Sequence, residues 1–532
     1  MQAKKMDWIT FTITFVVLIA VCIPLGLYPE KGGEMLTAAS KFFTNTFGIS
    51  YLWLGIGVFF FLLWVAYGRY GTIKLGEPGE RPAFSTFSWA SMLFCAGIGA
   101  SILYWGTIEW AYYYESPPFG LQPGSTEAIE WAATYGIFHW GPTAWAIYCL
   151  PAVPIAYLYH VRKKPVLKIS EACRPFIGKA ADGILGKMID ILFMFGLLGA
   201  AGTTLGLGTP MISAGISKMT GIPESFGLNI GVLLIVTIIF SFSAYSGLQK
   251  GIKWLSDMNM VLTFLLLTFI LVVGPTLFIL KMGTNSVGLL LDNILRMSLW
   301  TDPITKSGFP ERWTMFYWSW WLVYSPFVGL FIARISRGRT IRQMIIGTLV
   351  WGTIGCTVYF IILGNYAIYL QLNDILPVLS ILQESGAPTA IISVMNTLPF
   401  NKIMVPLFCI LAIIFLATTF DSSAYVLAAV TQKRVDNDPL RWNRMFWAFA
   451  LSLLPMVLMF IGGLETLQTA SILTALPLVF ITLLLILSFV KAVQQDEKKK
   501  VVAERKMFWE AENTRIQAKK RHSEAGMEKK AR

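Results

Sequence analysis

Residues 312–324 read Arg312-Trp313-Thr314-Met315-Phe316-Tyr317-Trp318-Ser319-Trp320-Trp321-Leu322-Val323-Tyr324, at the head of an apolar segment. Seven of these thirteen positions are aromatic. At about 100° per residue, Trp313, Tyr317, Trp320 and Tyr324 fall on one narrow helical stripe, and Trp321 sits roughly 80° round from it. A stripe of electron-rich ring faces inside a membrane suits one chemistry best: holding a quaternary ammonium ion by cation–π attraction.

The membrane setting follows from composition. The 532 residues are 55% hydrophobic and only 14% charged, against roughly 25% charged in a soluble protein. A crossing helix takes ~20 residues. Twelve apolar spans of about that length run near 8–28, 49–67, 86–108, 131–159, 187–210, 228–246, 257–280, 313–335, 342–370, 402–430, 443–463 and 467–490. The fold class expected is therefore an all-α integral membrane protein of twelve transmembrane helices. The first span follows only Met1 to Asp7 and lacks a small-residue cleavage site, so it reads as retained rather than as a signal peptide.

The net charge of +13 reports topology and not nucleic acid. Basic residues collect in alternate loops: Arg69, Lys74 and Arg81; Arg162, Lys163, Lys164, Lys168 and Arg174; Lys250 and Lys253; Arg334, Arg337, Arg339 and Arg342; Lys433, Arg434, Arg441 and Arg444. The other loops carry Glu30, Glu34, Glu115, Glu127, Glu130, Asp302, Asp374 and Glu465. The positive-inside rule then puts both termini in the cytoplasm of a multi-pass protein of the cell membrane. Six scattered cysteines (Cys22, Cys95, Cys149, Cys173, Cys356, Cys409) have no metal or disulfide-framework spacing and read as small buried apolar residues.

Between the fourth and fifth spans there is room for a short surface helix, residues 285–299 read as amphipathic, and 376–397 could hold an external helix. From Lys491 to Arg532 there are 13 basic and 7 acidic residues. This pattern favours a helix with salt-bridge pairs, either as a solvated tail or as an arm sensing anionic lipid. Two spans look interrupted. The third holds Ala96-Gly97-Ile98-Gly99-Ala100-Ser101 and the eighth Ser325-Pro326. Glycine eases departure from helical geometry and proline removes a donor. Gly97, Gly99, Ser101 and Pro326 are thus candidate hinges, although a glycine run also serves close helix packing. Interruptions at matching places in two halves are what inverted-repeat transporters show at their binding sites.

Phe138-His139-Trp140-Gly141-Pro142-Thr143-Ala144-Trp145-Ala146-Ile147-Tyr148 is a second aromatic cluster. As one helix it would place Trp140, Tyr148 and Trp145 at about 0°, 80° and 140°, on one broad face. Single membrane tryptophans are commonly interfacial or packing residues; two dense clusters make a box. Glu109, Asp190, Asp257 and Asp421 all count as near a span edge, so no acidic residue is expected amid the rings. That favours a zwitterion carrying its own carboxylate over a bare cation such as choline. His139 reads as structural, since a proton relay would need a partner. On the tenth span Phe415, Thr418, Thr419 and Ser422 share a face. With carbonyls freed by the broken third span, they would form an all-oxygen cage for a hard cation, though Ser and Thr also glue helices together. No phosphate loop, zinc spacing or nucleophile–base constellation stands out, which argues against an enzyme.

At these residues the chain resembles the betaine/carnitine/choline transporter (BCCT) family. The resemblance is carried by Trp313 to Trp321, by Trp105-Gly106-Thr107-Ile108-Glu109, Pro117-Pro118-Phe119-Gly120 and Phe138-His139-Trp140-Gly141-Pro142, and by Gly247-Leu248-Gln249-Lys250-Gly251 and Ala333-Arg334-Ile335-Ser336-Arg337-Gly338-Arg339. It runs from about residue 8 to 490. It implies a LeuT-like 5+5 inverted-repeat fold behind two extra leading helices, divided as 1–84, 85–285, a connecting amphipathic helix 286–310, 311–490 and a charged cytoplasmic tail 491–532. It further implies secondary transport for osmoprotection or uptake, no cofactor, sodium as coupling ion and no other metal, the lipid membrane as surroundings, no nucleic acid, and often a homotrimer. The implied substrate box is Trp140, Trp145 and Tyr148 with Trp320, Trp321 and Tyr324, joined by Tyr112. Tyr324 is the carnitine-type choice, where glycine-betaine symporters carry tryptophan.

The implied first sodium site uses Thr418 and Thr419 with backbone carbonyls of Cys95, Ile98 and Phe415. A second uses Thr203, Thr204 and Phe327. Sodium-independent carnitine/γ-butyrobetaine exchangers of the family carry arginine where this chain has Asn259, and methionine where it has Val328. Ser101 replaces a glycine of betaine carriers, where choline carriers tend to place Asp. The expectation is sodium-coupled import of glycine betaine, carnitine or a related betaine by alternating access. The alternatives are an exchanger or, in another class, an osmosensing channel or receptor.

Overall fold

The computed structural model of the protein describes residues 6–95, 99–164, 168–246, 251–433, 438–462 and 464–531, with side chains described for all but 94–95, 243–246, 251–257, 465 and 517–531 of these. Its first half contains α1 (Trp8–Leu27), α2 (Pro29–Tyr67), α3 (Thr86–Cys95), α4 (Ala100–Glu115), α5 (Thr126–His139), α6 (Pro142–Ala156), α7 (Ile169–Ile177), α8 (Ile184–Thr220), α9 (Phe226–Ser246) and α10 (Gly251–Val273). Then come α11 (Thr276–Leu299), α12 (Phe316–Ile335), α13 (Ile341–Tyr359), α14 (Asn365–Leu372), α15 (Val378–Asn396), α16 (Asn401–Val430), α17 (Arg441–Ala450), α18 (Leu453–Ile461) and α19 (Leu464–Ala531).

Among the described residues, ten helical segments are long and apolar enough to cross a membrane, or eleven if α10 and α11, bent by 109°, count together. Twelve were expected. The shortfall has a physical origin. The third span divides into α3 and α4, with Gly99 extended at the start of α4 (φ −111°, ψ −172°), so neither piece is long enough alone. The sixth survives as a shorter apolar helix, Phe226–Phe242. Conversely α15, expected outside the membrane, qualifies by composition although Gly386 breaks it at φ 82°. The short surface helix after the fourth span is α7, and the expected 285–299 helix is part of α11.

The eighth span does not break at Ser325-Pro326. α12 runs through it without interruption. Pro326 cannot donate to the Leu322 carbonyl one turn back, and Ser325 Oγ takes that acceptor instead at 2.9 Å. The irregular turn lies earlier, at the π-helical Pro310–Met315. Of the candidate hinges, only the third-span break is thus present as a break, and Gly97 and Ile98 lie outside the described residues.

α12 is buried on nearly every side, the mark of a core helix. It packs chiefly against α6, and also against α19 and α8. Lipid tails are as apolar as leucine, so such contacts depend on close fit and not on escape from water. Gly329 lets α12 lie directly on the α6 backbone: a Cβ there would meet Pro151 Cβ at 2.8 Å and Ala152 N at 2.9 Å. The ring of Trp145 lies against Gly352 of α13 in the same manner.

On the side rich in basic loops, residues 73–83 pair with 337–341. Leu75 N donates to Arg339 O (2.8 Å) and Gly338 N to Leu75 O (2.7 Å). Gly338 adopts φ 78°, and a Cβ there would collide with the Arg81 carbonyl, so glycine is required. Arg337 Nε donates to Glu80 at 2.6 Å. The Glu77 N–H and Arg337 together hold the Glu80 carboxyl below its ordinary range. α19 continues past the apolar stretch, where Arg162 grips it. Arg162 donates to both Asp496 oxygens (2.7 and 3.0 Å) and to the Ala492 carbonyl (2.6 Å), and Tyr157 Oη adds a bond to Asp496 at 2.8 Å. Farther out, Lys500–Glu504 and Lys506–Glu510 are the expected i,i+4 pairs.

Candidate functional site

The two aromatic clusters meet in the interior. Trp140 stands edge-on to Trp321 (centroids 4.6 Å, 77°) and to Trp320 (5.9 Å, 90°). Tyr148 also stands edge-on to Trp321 (5.3 Å, 80°). Trp320 and Trp321 are stacked at 5.2 Å, and Tyr317 lies parallel to Trp321 at 5.8 Å. All five rings are 4% exposed or less. Trp321 Nε1 donates to the His139 carbonyl at 2.8 Å, which fixes the orientation of its ring.

Trp140 reaches this group because it does not belong to a helix. α5 ends at His139, Trp140 takes φ −104° and ψ 10°, and α6 restarts at Pro142 behind an extended Gly141. The estimate that put Trp140, Trp145 and Tyr148 on one helical face therefore crosses a break. Trp145 turns toward Gly352, and among the described residues its ring contact to the box is with Tyr148 (5.6 Å). Tyr112 is also set apart. It packs with Trp313 (5.5 Å) and Trp105 (6.2 Å), a second layer that joins the box through Trp105 and Tyr317 (6.0 Å). Tyr324 lies 6.5 Å from Trp320.

Glu109 corrects the sequence reading. It was counted at a span edge, and no acidic residue was expected among the rings; it is fully buried beneath them. Its Oε1 accepts from Tyr113 Oη (2.5 Å), and its Oε2 from Tyr317 Oη (2.5 Å) and Trp140 Nε1 (3.2 Å). The apolar run ends near 108, but α4 continues to Glu115, so Glu109 lies well inside the helix. The available signal was its spacing: Trp105 and Tyr113 lie four residues to either side, on the same helical face. His139, read as structural, does have polar partners: Tyr113 Oη on Nδ1 (2.8 Å) and Thr314 Oγ1 on Nε2 (3.1 Å). Asp190 is buried too, accepting from the N–H and hydroxyl of Ser170 (3.0 and 2.8 Å).

For the cation, α16 brings Thr419 to the start of α4, with its Oγ1 3.3 Å from where a Gly99 Cβ would stand. Thr418 Oγ1 donates to the carbonyls of Ile414 and Phe415, both at 3.0 Å, which leaves its lone pairs for a cation. Ile98 lies outside the described residues, as does the Cys95 side chain. Thr203 and Thr204 diverge, as neighbours about 100° apart on a helix must. The Thr203 hydroxyl bonds to Leu467 O (2.8 Å) and Ser471 (2.9 Å) of α19, while that of Thr204 bonds to Tyr324 Oη (2.9 Å). Phe327 is half-buried, and Asn259 is buried with its Oδ1 lacking a partner among the described residues.

Comparison with known proteins gives this arrangement a context. Residues 9–498 match the model of the BCCT, betaine/carnitine/choline family transporter. The chain is 38% identical over 438 residues to the "Uncharacterized transporter YeaV" of Escherichia coli K12, which covers 82% of this chain and 91% of that protein. It is 35% identical over 478 residues to the "Carnitine transporter" of Acinetobacter baumannii, 89% of this chain and 86% of that one.

Proposed function

Because the chain belongs to the betaine/carnitine/choline transporter family, we propose that it imports a trimethylammonium zwitterion, carnitine or a related betaine, by sodium symport. Membership makes it a multi-pass membrane transporter and not an enzyme. The observation that carries the substrate reading is the closed group of Trp140, Trp320, Trp321, Tyr148 and Tyr317. Indole is the strongest ring partner for a cation, most of all where water is excluded. Trp320 Nε1 is buried without a partner among the described residues, a donor for the carboxylate of a zwitterion. Tyr324, and the carnitine transporter among the relatives, favour carnitine within this class.

Thr418 and Thr419 suit sodium as neutral oxygens, with Thr419 beside the extended Gly99 at the start of α4. Sodium bound there would order the break and raise substrate affinity, and substrate would raise sodium affinity by the same factor. The bundle would rock about the midplane site in a 5+5 inverted-repeat arrangement, in a homotrimer with both termini in the cytoplasm.

A binding screen tests the substrate reading. Tryptophan fluorescence of the purified protein is followed with glycine betaine, carnitine, choline and γ-butyrobetaine, with and without sodium. A saturable response to a zwitterion is expected, and silence toward all four ligands refutes the reading. In proteoliposomes, Thr418→Ala is expected to raise the sodium concentration needed for half-maximal uptake roughly tenfold, about the loss of one charge-assisted oxygen contact. Wild-type sodium dependence in that variant removes Thr418 as a ligand. Uptake indifferent to replacing sodium by potassium would make the protein an exchanger, and failure to accumulate substrate against its gradient would leave the channel or receptor.

A further inference from the structure

Among the described residues Glu109 has no permanently charged cationic partner to balance it. The only potential ion-pair partner among the described residues is His139, whose Nδ1 stands 3.7 Å from Oε1. Both nitrogens of that ring face hydroxyls, Tyr113 on one side and Thr314 on the other. A neutral imidazole satisfies both contacts, with one N–H and one lone pair. Three donors converge on the two carboxylate oxygens; each favours the ionised form, and burial opposes it. A fully buried carboxylate without a paired cation is costly. Two of its three donors, Trp140 and Tyr317, are walls of the aromatic box.

We propose that Glu109 is the counter-charge of the quaternary ammonium ion, acting through Trp140 and Tyr317 and not by touching the ligand. An N–H or O–H donated to an anion pushes electron density onto its ring, and in a low-dielectric interior such polarisation is strong. The ring face toward the ligand becomes more negative and its attraction for a cation grows. The carboxylate charge at the edges of these rings adds a direct Coulomb term. The ligand in turn relieves the uncompensated carboxylate. Glu109 therefore sets specificity for positive charge, as distinct from trimethyl shape. This inference rests on the substrate reading above.

The test compares two ligands of one shape. Glycine betaine and 3,3-dimethylbutanoate differ only in a quaternary nitrogen against a quaternary carbon. Affinities for both are measured by tryptophan fluorescence on the purified full-length protein, for wild type, Glu109→Gln and Tyr317→Phe. Wild type is expected to prefer the ammonium ligand. In Glu109→Gln that preference is expected to fall roughly tenfold, within the range of a desolvated cation–π contact, with the affinity for the carbon isostere little changed. Tyr317→Phe, which keeps the ring and removes its bond to the carboxylate, is expected to lose part of the preference, and it serves as the decisive variant if Glu109→Gln does not fold. Equal weakening of both ligands, leaving the ratio at its wild-type value, overturns the proposal and leaves Glu109 as a packing residue. A wild type that binds neither ligand overturns the substrate reading and this proposal with it. A wild type that binds both equally overturns this proposal alone.

Discussion

Trp321→Ala is expected to weaken binding of the trimethylammonium ligand by roughly 30-fold or more, the equivalent of about 2 kcal/mol for a desolvated cation–π contact. Trp321 is the ring that the others surround: Trp140 and Tyr148 edge-on, Trp320 and Tyr317 stacked. Its indole N–H is spent on the His139 carbonyl, so what it has left to offer a ligand is its face. Removing a buried indole also opens a cavity, which costs about 3–5 kcal/mol of stability in a well-packed core. Trp321→Leu separates the two effects, because leucine fills much of the space with no π system. Both variants should lose affinity in fluorescence titrations, with Trp321→Leu keeping nearer the wild-type melting temperature. Unaltered uptake kinetics in either variant would take Trp321 out of the substrate site.

Gly329→Val is expected to prevent correct assembly of the protein. The Cβ alone would lie at 2.8–2.9 Å from Pro151 Cβ and Ala152 N. One of these atoms is backbone and another belongs to a proline ring, so neither can swing aside. Overpacking of this kind costs typically 1–3 kcal/mol, and here it acts on the most extensive helix–helix contact, between α12 and α6. Both box clusters hang on these two helices. The expected result is aggregated or early-melting protein on size exclusion and thermal unfolding, with no uptake. Gly57→Val is the control, since nothing lies within 4 Å of a Cβ there. Equal melting temperatures for the two variants would refute the close-packing account.

The sequence made the aromatic stripe of α12 legible because one unbroken helix preserves its periodicity: Tyr317, Trp320 and Tyr324 do share the inward face. The same arithmetic failed at Trp140 because Gly141-Pro142 resets the helical phase between it and Tyr148. Glu109 escapes for a different reason: an apolar run that ends near 108 places it at a span edge, whereas the buried helix continues past it to Glu115. Pro326 misled in the opposite direction, since a neighbouring serine hydroxyl repairs the bond that proline removes. Thr203 and Thr204 show that adjacency in sequence means divergence on a helix.

The grip of Arg162 on Asp496 lies near the foot of a helix that continues to Ala531. At ~1.5 Å per residue, the stretch beyond that grip extends about 50 Å from the membrane-proximal turn. Such a rod is a lever whose inner arm, roughly 48 Å from Leu464 to Asp496 at ~1.5 Å per residue and lodged against α12, is about as long as the outer one. Rotating it by ~10° would sweep the outer tip through roughly 9 Å, about the width of a helix. A tilt of the inner arm beside the box is thereby carried to the far end of the tail, where an attached fluorophore could read the transport cycle from outside the bilayer.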